Sequence, residues 1–282
     1  MQYSDYICKI VCFYFDKTSR LCYNSFRNKG TVFFVIHSFL LIGQSNMAGR
    51  GFFNEAKAID KTNIKVLRNG LWVPMFRPIN PDRSFSGVNL AESFAEGYAK
   101  KYNTNVGLIC CADGGTKLSQ WMPGETLYEN AVNNARLAMR TSTVAGILWH
   151  QGESDIKTGI DTYRTRFEEM IKSLKKDIGC GDVPVIVGAL GEYLVDYQGF
   201  NADNFAEVLR FNKIIEEMAI ENKNMAFVSS KGLKANPDNL HFSADGLYEF
   251  GLRYLEAYES LGYTVCENTV NTNTTRSALE LL

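Results

Sequence analysis

The chain has 282 residues, 45% of them hydrophobic and 22% charged, with a formal net charge of −1. That is an ordinary globular composition, long enough for one large domain with a substantial core. A nearly neutral chain carries no electrostatic footprint for nucleic acid or an anionic membrane, and its longest apolar run, about residues 31–43, is too short to span a bilayer.

Residues 1–31 are expected to form an N-terminal extension outside the domain. They are rich in aromatics, show neither strand nor helix periodicity, and hold Cys8, Cys12 and Cys22. Three cysteines without a nearby histidine or a C-x-x-C pair make a poor metal clip. Arg27 and Lys29 before the apolar run imitate a secretory signal. No small-residue cleavage site follows, however, and a cut there would remove the strand leading to Ser45. The signal is rejected and a cytoplasmic location expected.

From Val32 onward, apolar runs alternate with amphipathic stretches. A first strand over 32–42 is followed by a short strand or hairpin in 64–76. Helical spacing joins Leu90, Phe94, Ala95 and Tyr98. Strands at 106–111, 144–149, 183–188 and 225–228 alternate with helices near 127–140, 161–177, 203–221 and 243–260. Continuous Val/Ile/Leu strands separated by amphipathic helices predict βαβ units and a parallel sheet covered on both faces, one α/β domain over 32–262. Cys110 and Cys111 are adjacent on a buried strand and point to opposite faces. With seven cysteines in all, this reads as reduced thiols, not a disulfide framework. The tail 263–282 is polar and lies outside the core.

In a parallel sheet, ligands bind beyond the carboxyl ends of the strands. Polar or glycine-rich sequence follows the strands there. Gly43, Gln44, Ser45 and Asn46 come after the first, and Gly114, Gly115 and Thr116 after VGLICC. His150, Gln151, Gly152 and Glu153 follow VAGILW, and Asp238 and His241 follow the last strand. A strand that stops at a glycine and delivers a serine into a tight turn is a sign of an activated nucleophile. Its plainer reading is a helix N-cap. A nucleophilic serine needs a base, and imidazole has the matching pKa. Of the three histidines, His37 lies inside the first strand and is expected to be structural, while His150 sits at a strand end. His241 has Asp238 three residues before it, in a turn begun by Asn236-Pro237. That spacing presents an imidazole with a carboxylate behind it, or else a capping aspartate and a surface histidine. Backbone N–H groups of Ser45 and Gly115 and the amide of Gln151 are candidate oxyanion donors. Glu153 has several readings: a support for Gln151, His150 or Arg50, or a surface charge.

GQSNMAG at 43–49, CADGG at 111–115, WHQGESD at 149–155 and DNLHF at 238–242 resemble the blocks of SGNH-type hydrolases. They are most similar to the branch of acetylxylan esterases (carbohydrate esterase family 6) and sialate O-acetylesterases. The resemblance covers roughly residues 35–258. It implies a three-layer α/β/α, flavodoxin-like sandwich with a five-stranded parallel sheet. It also implies Ser45 as nucleophile, His241 as base, Asp238 as its partner, and an oxyanion hole of Ser45, Gly115 and Gln151. The first block is usually G-D-S and the third supplies asparagine; Gln44 and Gln151 stand there in this chain, as is typical of the carbohydrate-esterase branch.

The expected activity is removal of O-acetyl groups from a sugar through an acetyl-enzyme, with no metal or cofactor and an acetylated sugar or oligosaccharide as partner. Gln44, Asn46, Arg50 and Glu153 are expected to support the site or touch substrate, and Trp121, Arg83 and Tyr193 are further candidates for sugar contact. Two rival readings are a non-catalytic carbohydrate-binding protein on the same fold and a metallohydrolase built on His150, Glu153, Asp155 and His241. The second lacks H-x-x-x-H or H-x-H spacing.

Overall fold

The apolar run IHSFLLIG forms β1 (Ile36–Gly43), whose last six residues are all buried, as a central parallel strand with both faces covered must be. The computed structural model describes residues 35–158 and 160–266. The proposed extension over residues 1–31, its three cysteines, and the tail beyond 266 lie outside the described residues.

After the short helix α1 (Ser45–Ala48) come β2 (Ile64–Arg68), β3 (Leu71–Pro74), α2 (Leu90–Tyr102), β4 (Asn105–Cys110), α3 (Thr126–Ala138) and β5 (Thr143–His150). Then follow α4 (Tyr163–Ile178), β6 (Val185–Gly188), α5 (Ala202–Glu221), β7 (Met225–Val228) and α6 (Ala244–Ser260). The sheet order is β3-β2-β4-β1-β5-β6-β7. Every pairing is parallel except β2 with β3. The fold is therefore the expected α/β sandwich, with seven strands in place of five. Part of the difference is a hairpin: Asn69 and Gly70 both take positive φ (50° and 79°), the condition for a tight Asn-Gly turn, which folds β3 back on the edge.

Side chains alternate along β1 between two cores. Leu40 and Ile42 pack with α3, α4 and α5, while Phe39 and Leu41 pack with α2 and α6. Cys111 joins the first core and Cys110 packs against the second, so the adjacent thiols do face opposite ways. Among the described residues no helix is long and apolar enough to cross a membrane. The parallel strands end at one rim, and the loops after β1, β4, β5 and β7 meet there.

Candidate active site

Ser45 is delivered by a constrained turn. Gly43 has φ +133°. Its carbonyl accepts from Asp113 N at 3.0 Å, and the next amide, Gln44 N, donates to His150 O at 2.9 Å. Ser45 opens α1 without capping it. Gln44 is the N-cap and makes no side-chain capping bond, so the N-cap reading of the serine is set aside.

The Ser45 hydroxyl instead lies 3.0 Å from His241 Nε2, and His241 Nδ1 lies 2.7 Å from Asp238 Oδ2. The other Asp238 oxygen accepts from the backbone amides of Leu240 at 2.9 Å and His241 at 3.0 Å. Asn239, in left-handed conformation at φ 49°, closes this small loop. Burial alone would raise the Asp238 pKa. The bonds from the His241 ring and the two amides, with the ring's charge, outweigh it and hold the carboxyl below its usual value.

Asn46 fastens the histidine loop to the serine turn. Its Nδ2 donates to Leu240 O at 3.3 Å and its Oδ1 accepts from Phe242 N at 3.1 Å, gripping the backbone on both sides of His241. Glu153 is buried, and its Oε1 accepts from Asn46 Nδ2 at 2.6 Å. The same oxygen lies 3.8 Å from His150 Nδ1, so Glu153 stands beside His150, one of its expected partners, and fills a role not foreseen as well: it orients Asn46. It is not a surface charge.

Of the expected oxyanion donors, Ser45 N and Gly115 N make no backbone hydrogen bond among the described residues. Gly115 has φ +77°, and a Cβ there would meet nothing within 4 Å, so its backbone faces the open cleft. Gln151 differs from expectation. It is 1% exposed and is absent from the cleft wall. Its Nε2 donates to Thr116 O at 3.0 Å, Asp155 Oδ2 at 2.6 Å and Gln44 Oε1 at 3.2 Å. Its amide is committed to the protein interior.

A cleft of about 560 Å³ opens over Ser45 and His241; Gln44, Arg50, Arg83, Gly114, Gly115 and Glu153 are among its lining, a volume suited to a small sugar. Arg83 pairs with Asp113 at 2.6 Å. Two candidates for sugar contact lie elsewhere. Trp121 is 1% exposed, packs edge-on against Trp149 and donates to Thr116 Oγ1. Tyr193 packs edge-on against Phe242. His37 meets the Tyr98 hydroxyl at 2.8 Å, within the sheet as expected. His150 is fully buried between Phe242 and Phe250, and burial lowers its pKa. The four residues of the metallohydrolase reading do not converge. Asp155 accepts from Leu118 N and Gln151, His241 faces Ser45, and no cluster suited to a metal ion occurs among the described residues.

The residue that sequence reasoning missed is Asp82. Its carboxylate takes both terminal nitrogens of the Arg50 guanidinium, at 2.9 and 2.6 Å, and Gly114 N at 2.8 Å. It thereby ties the Gly114-Gly115 loop to the serine turn. A long stretch without helix or strand, from Met75 to Asn89, was the available signal, since such loops are often functional. Burial pushes the Asp82 pKa up, but Arg50, Ser86 and Gly114 N–H together hold it below the ordinary 3.8. A depressed carboxyl stabilises the fold above the ordinary value, and that contribution is lost as pH falls through the depressed one. Asp82→Asn is therefore expected to melt lower than the parent near neutrality, because Arg50 stays buried beside a neutral partner. It should also lose less melting temperature than the parent between about pH 5 and 3; parallel pH profiles would refute the assignment.

Residues 35–260 match the family described as carbohydrate esterase, sialic acid-specific acetylesterase. A probable carbohydrate esterase of Arabidopsis thaliana is 28% identical over 246 residues, covering 79% of this chain and 90% of the relative. The crystal structure of that Arabidopsis protein superposes with a TM-score of 0.68 at 26% identity, over 79% of this chain and 98% of the other. A carbohydrate acetylesterase from Xanthomonas citri shares the fold, with a TM-score of 0.59 at 17% identity, over 81% of this chain and 57% of the other. With most of its described length inside that family, the chain belongs to the carbohydrate esterases of the sialic acid-specific acetylesterase type, carboxylic ester hydrolases that act on acetyl groups of carbohydrates.

Proposed function

We propose that the chain works as a serine O-acetylesterase, with Ser45 as nucleophile, His241 as general base and Asp238 as the group that holds the imidazole. The observation that carries this reading is the continuous line of 3.0 and 2.7 Å contacts from Ser45 through His241 to Asp238. With the proton on Nδ1 shared toward Asp238, Nε2 is free to take the serine proton. Ser45 Oγ attacks the acetyl carbonyl, and the negative charge gathers on the carbonyl oxygen beside the N–H groups of Ser45 and Gly115. Collapse breaks the bond to the sugar oxygen, which leaves with the proton from His241. Water then attacks the acetyl-serine, giving its proton to His241, and acetate departs with Ser45 restored.

Labelling of the intact protein by a fluorophosphonate, followed by peptide mass spectrometry, is expected to mark Ser45. A folded, active protein that carries no label there would overturn the reading. A cytoplasmic site of action belongs to the same reading and is supported by the free thiols of Cys110, Cys111 and Cys180. Burial raises all three and keeps them protonated and unreactive.

Among the acetylated sugars, the cleft favours an acidic one. Arg50 and Arg83 are neutralised by Asp82 and Asp113. Lys117 and Lys157 also line the cleft. Lys117 donates to the Thr158 hydroxyl and Lys157 lies over the Phe200 ring, neither in an ion pair with a carboxylate among the described residues. Two unpaired ammonium groups suit the carboxylate of a sialic acid better than neutral xylan. Lys117→Gln combined with Lys157→Gln should raise KM for an O-acetylated sialic acid by about fivefold, and by less for acetylated xylo-oligosaccharides; equal changes would refute the preference.

A further inference from the structure

The loop from Met75 to Asn89 brings a phenylalanine to the rim of the cleft and holds it there. Phe85 lines the cleft with Ser45, Gly115 and His241, and at 67% it is the most exposed aromatic side chain among the described residues. An apolar ring left in water adds little to the fold, yet the backbone on both sides of this one is fixed. Ser86 N donates to Arg83 O at 3.1 Å, closing a β-turn that contains Phe85. The Ser86 hydroxyl accepts from Arg83 N at 3.0 Å and donates to Asp82 Oδ1 at 2.7 Å. The Arg83 side chain donates to Asp113 at 2.6 Å and to Gly114 O at 2.9 Å, while Gly87 N donates to Gly49 O at 3.0 Å. The turn is thereby tied both to the Gly114-Gly115 loop and to the serine turn.

The ring itself is anchored on one face. The Arg50 guanidinium lies over it, 5.3 Å from its centre, and is held in turn by its two bonds to Asp82. The opposite face packs on no other aromatic ring among the described residues and is open, as the exposure requires. The other aromatic rings of the cleft are engaged: Tyr197 and Phe200 pack edge-on at 5.2 Å, and Lys157 lies over Phe200. A fixed ring with one free face suits the C–H face of a pyranose. Contact removes apolar surface from water on both sides and sets slightly positive hydrogens against the negative π cloud. Because the ring is in place before substrate arrives, little order is lost on binding.

We infer that Phe85 is a specificity-determining residue, a platform on which the pyranose ring of the substrate stacks while its acetyl group reaches Ser45. This rests on the serine reading above. The measured quantity is a selectivity, kcat/KM on acetylated xylobiose divided by kcat/KM on ethyl acetate. The first is a neutral sugar, so the lysines of the cleft do not enter, and the second has no ring to stack; p-nitrophenyl acetate is avoided because its own ring can. Phe85→Ala is expected to lower this selectivity about tenfold, chiefly through KM for the sugar, and to melt within about 2 °C of the parent. Phe85→Trp is expected to keep the selectivity within about threefold of the parent. Phe85→Leu, apolar but without a flat π face, is expected to fall with the alanine variant.

A selectivity within about threefold of the parent in Phe85→Ala, or a leucine variant that matches the tryptophan one, overturns the inference. So does an equal loss on both substrates, which would mean that the ring shapes the reacting centre and not the sugar's seat. The two readings fail apart. Turnover of ethyl acetate by Ser45→Ala undoes the nucleophile, whereas an unmoved selectivity in Phe85→Ala undoes the platform and leaves Ser45 where it stands.

Discussion

Ser45→Ala is expected to lower kcat for p-nitrophenyl acetate by about 10³-fold or more while melting like the parent. The hydroxyl's contact is with His241 Nε2 at 3.0 Å, and the fold does not lean on it. The turn that carries residue 45 is fixed by backbone bonds from Met47, Ala48 and Gly49, which alanine keeps. The loss therefore falls on chemistry. Residual hydrolysis is expected, because the donors around the oxyanion position survive. Turnover close to the parent's would mean that a different group attacks the ester, and would undo the assignment of His241 and Asp238 as well.

The sequence was most informative where chemistry is local. Asp238 and His241 are three residues apart, and one turn joins them through two bonds, so their partnership was legible from spacing. Helix limits followed the apolar periodicity closely: 203–221 was expected and α5 spans Ala202–Glu221. Long-range matters were less legible. Asp82 reaches Arg50 and Gly114 across 32 residues in each direction, and nothing in PINPDRSFSG distinguishes it from an exposed turn aspartate. Glu153 and Asn46 are 107 residues apart, which is why the contact with Asn46 was not legible, whereas the one with His150, three residues away, was among the expected roles. Trp121 looked available on an active-end loop, but a large aromatic ring gains more by burial against Trp149 than by waiting in solvent. Gln151 shows the same limit in another form. Its residue type was right for an oxyanion donor, while the direction of its amide depended on Thr116 and Tyr163 from other parts of the chain as well as on Asp155 in its own loop.

Gly43→Ala is expected to be more damaging to the fold than any change among the polar residues of the cleft. At φ +133° only glycine is unstrained. A Cβ at this position would also stand 2.1 Å from the carbonyl oxygen of His150 and 2.8 Å from its carbonyl carbon, which are backbone atoms that cannot swing aside. Relief by moving the turn is blocked on both sides, because Gln44 N is bonded to that same His150 oxygen and Gly43 O holds Asp113 N. Strain of this kind costs roughly 1–3 kcal/mol and overpacking roughly as much again, out of a total stability of about 5–15 kcal/mol. A drop in melting temperature on the order of 10 °C follows for a domain of this size. The effect reaches function through the same contact: the glycine lets β1 and β5 approach until one carbonyl holds the strand end in place, and Ser45, two residues on, takes its position relative to His241 from that approach. Gly43→Ala protein that survives is therefore expected to lose kcat along with stability. A variant that melts within about 2 °C of the parent and turns over normally would show that the close approach of these strands is not what sets the nucleophile.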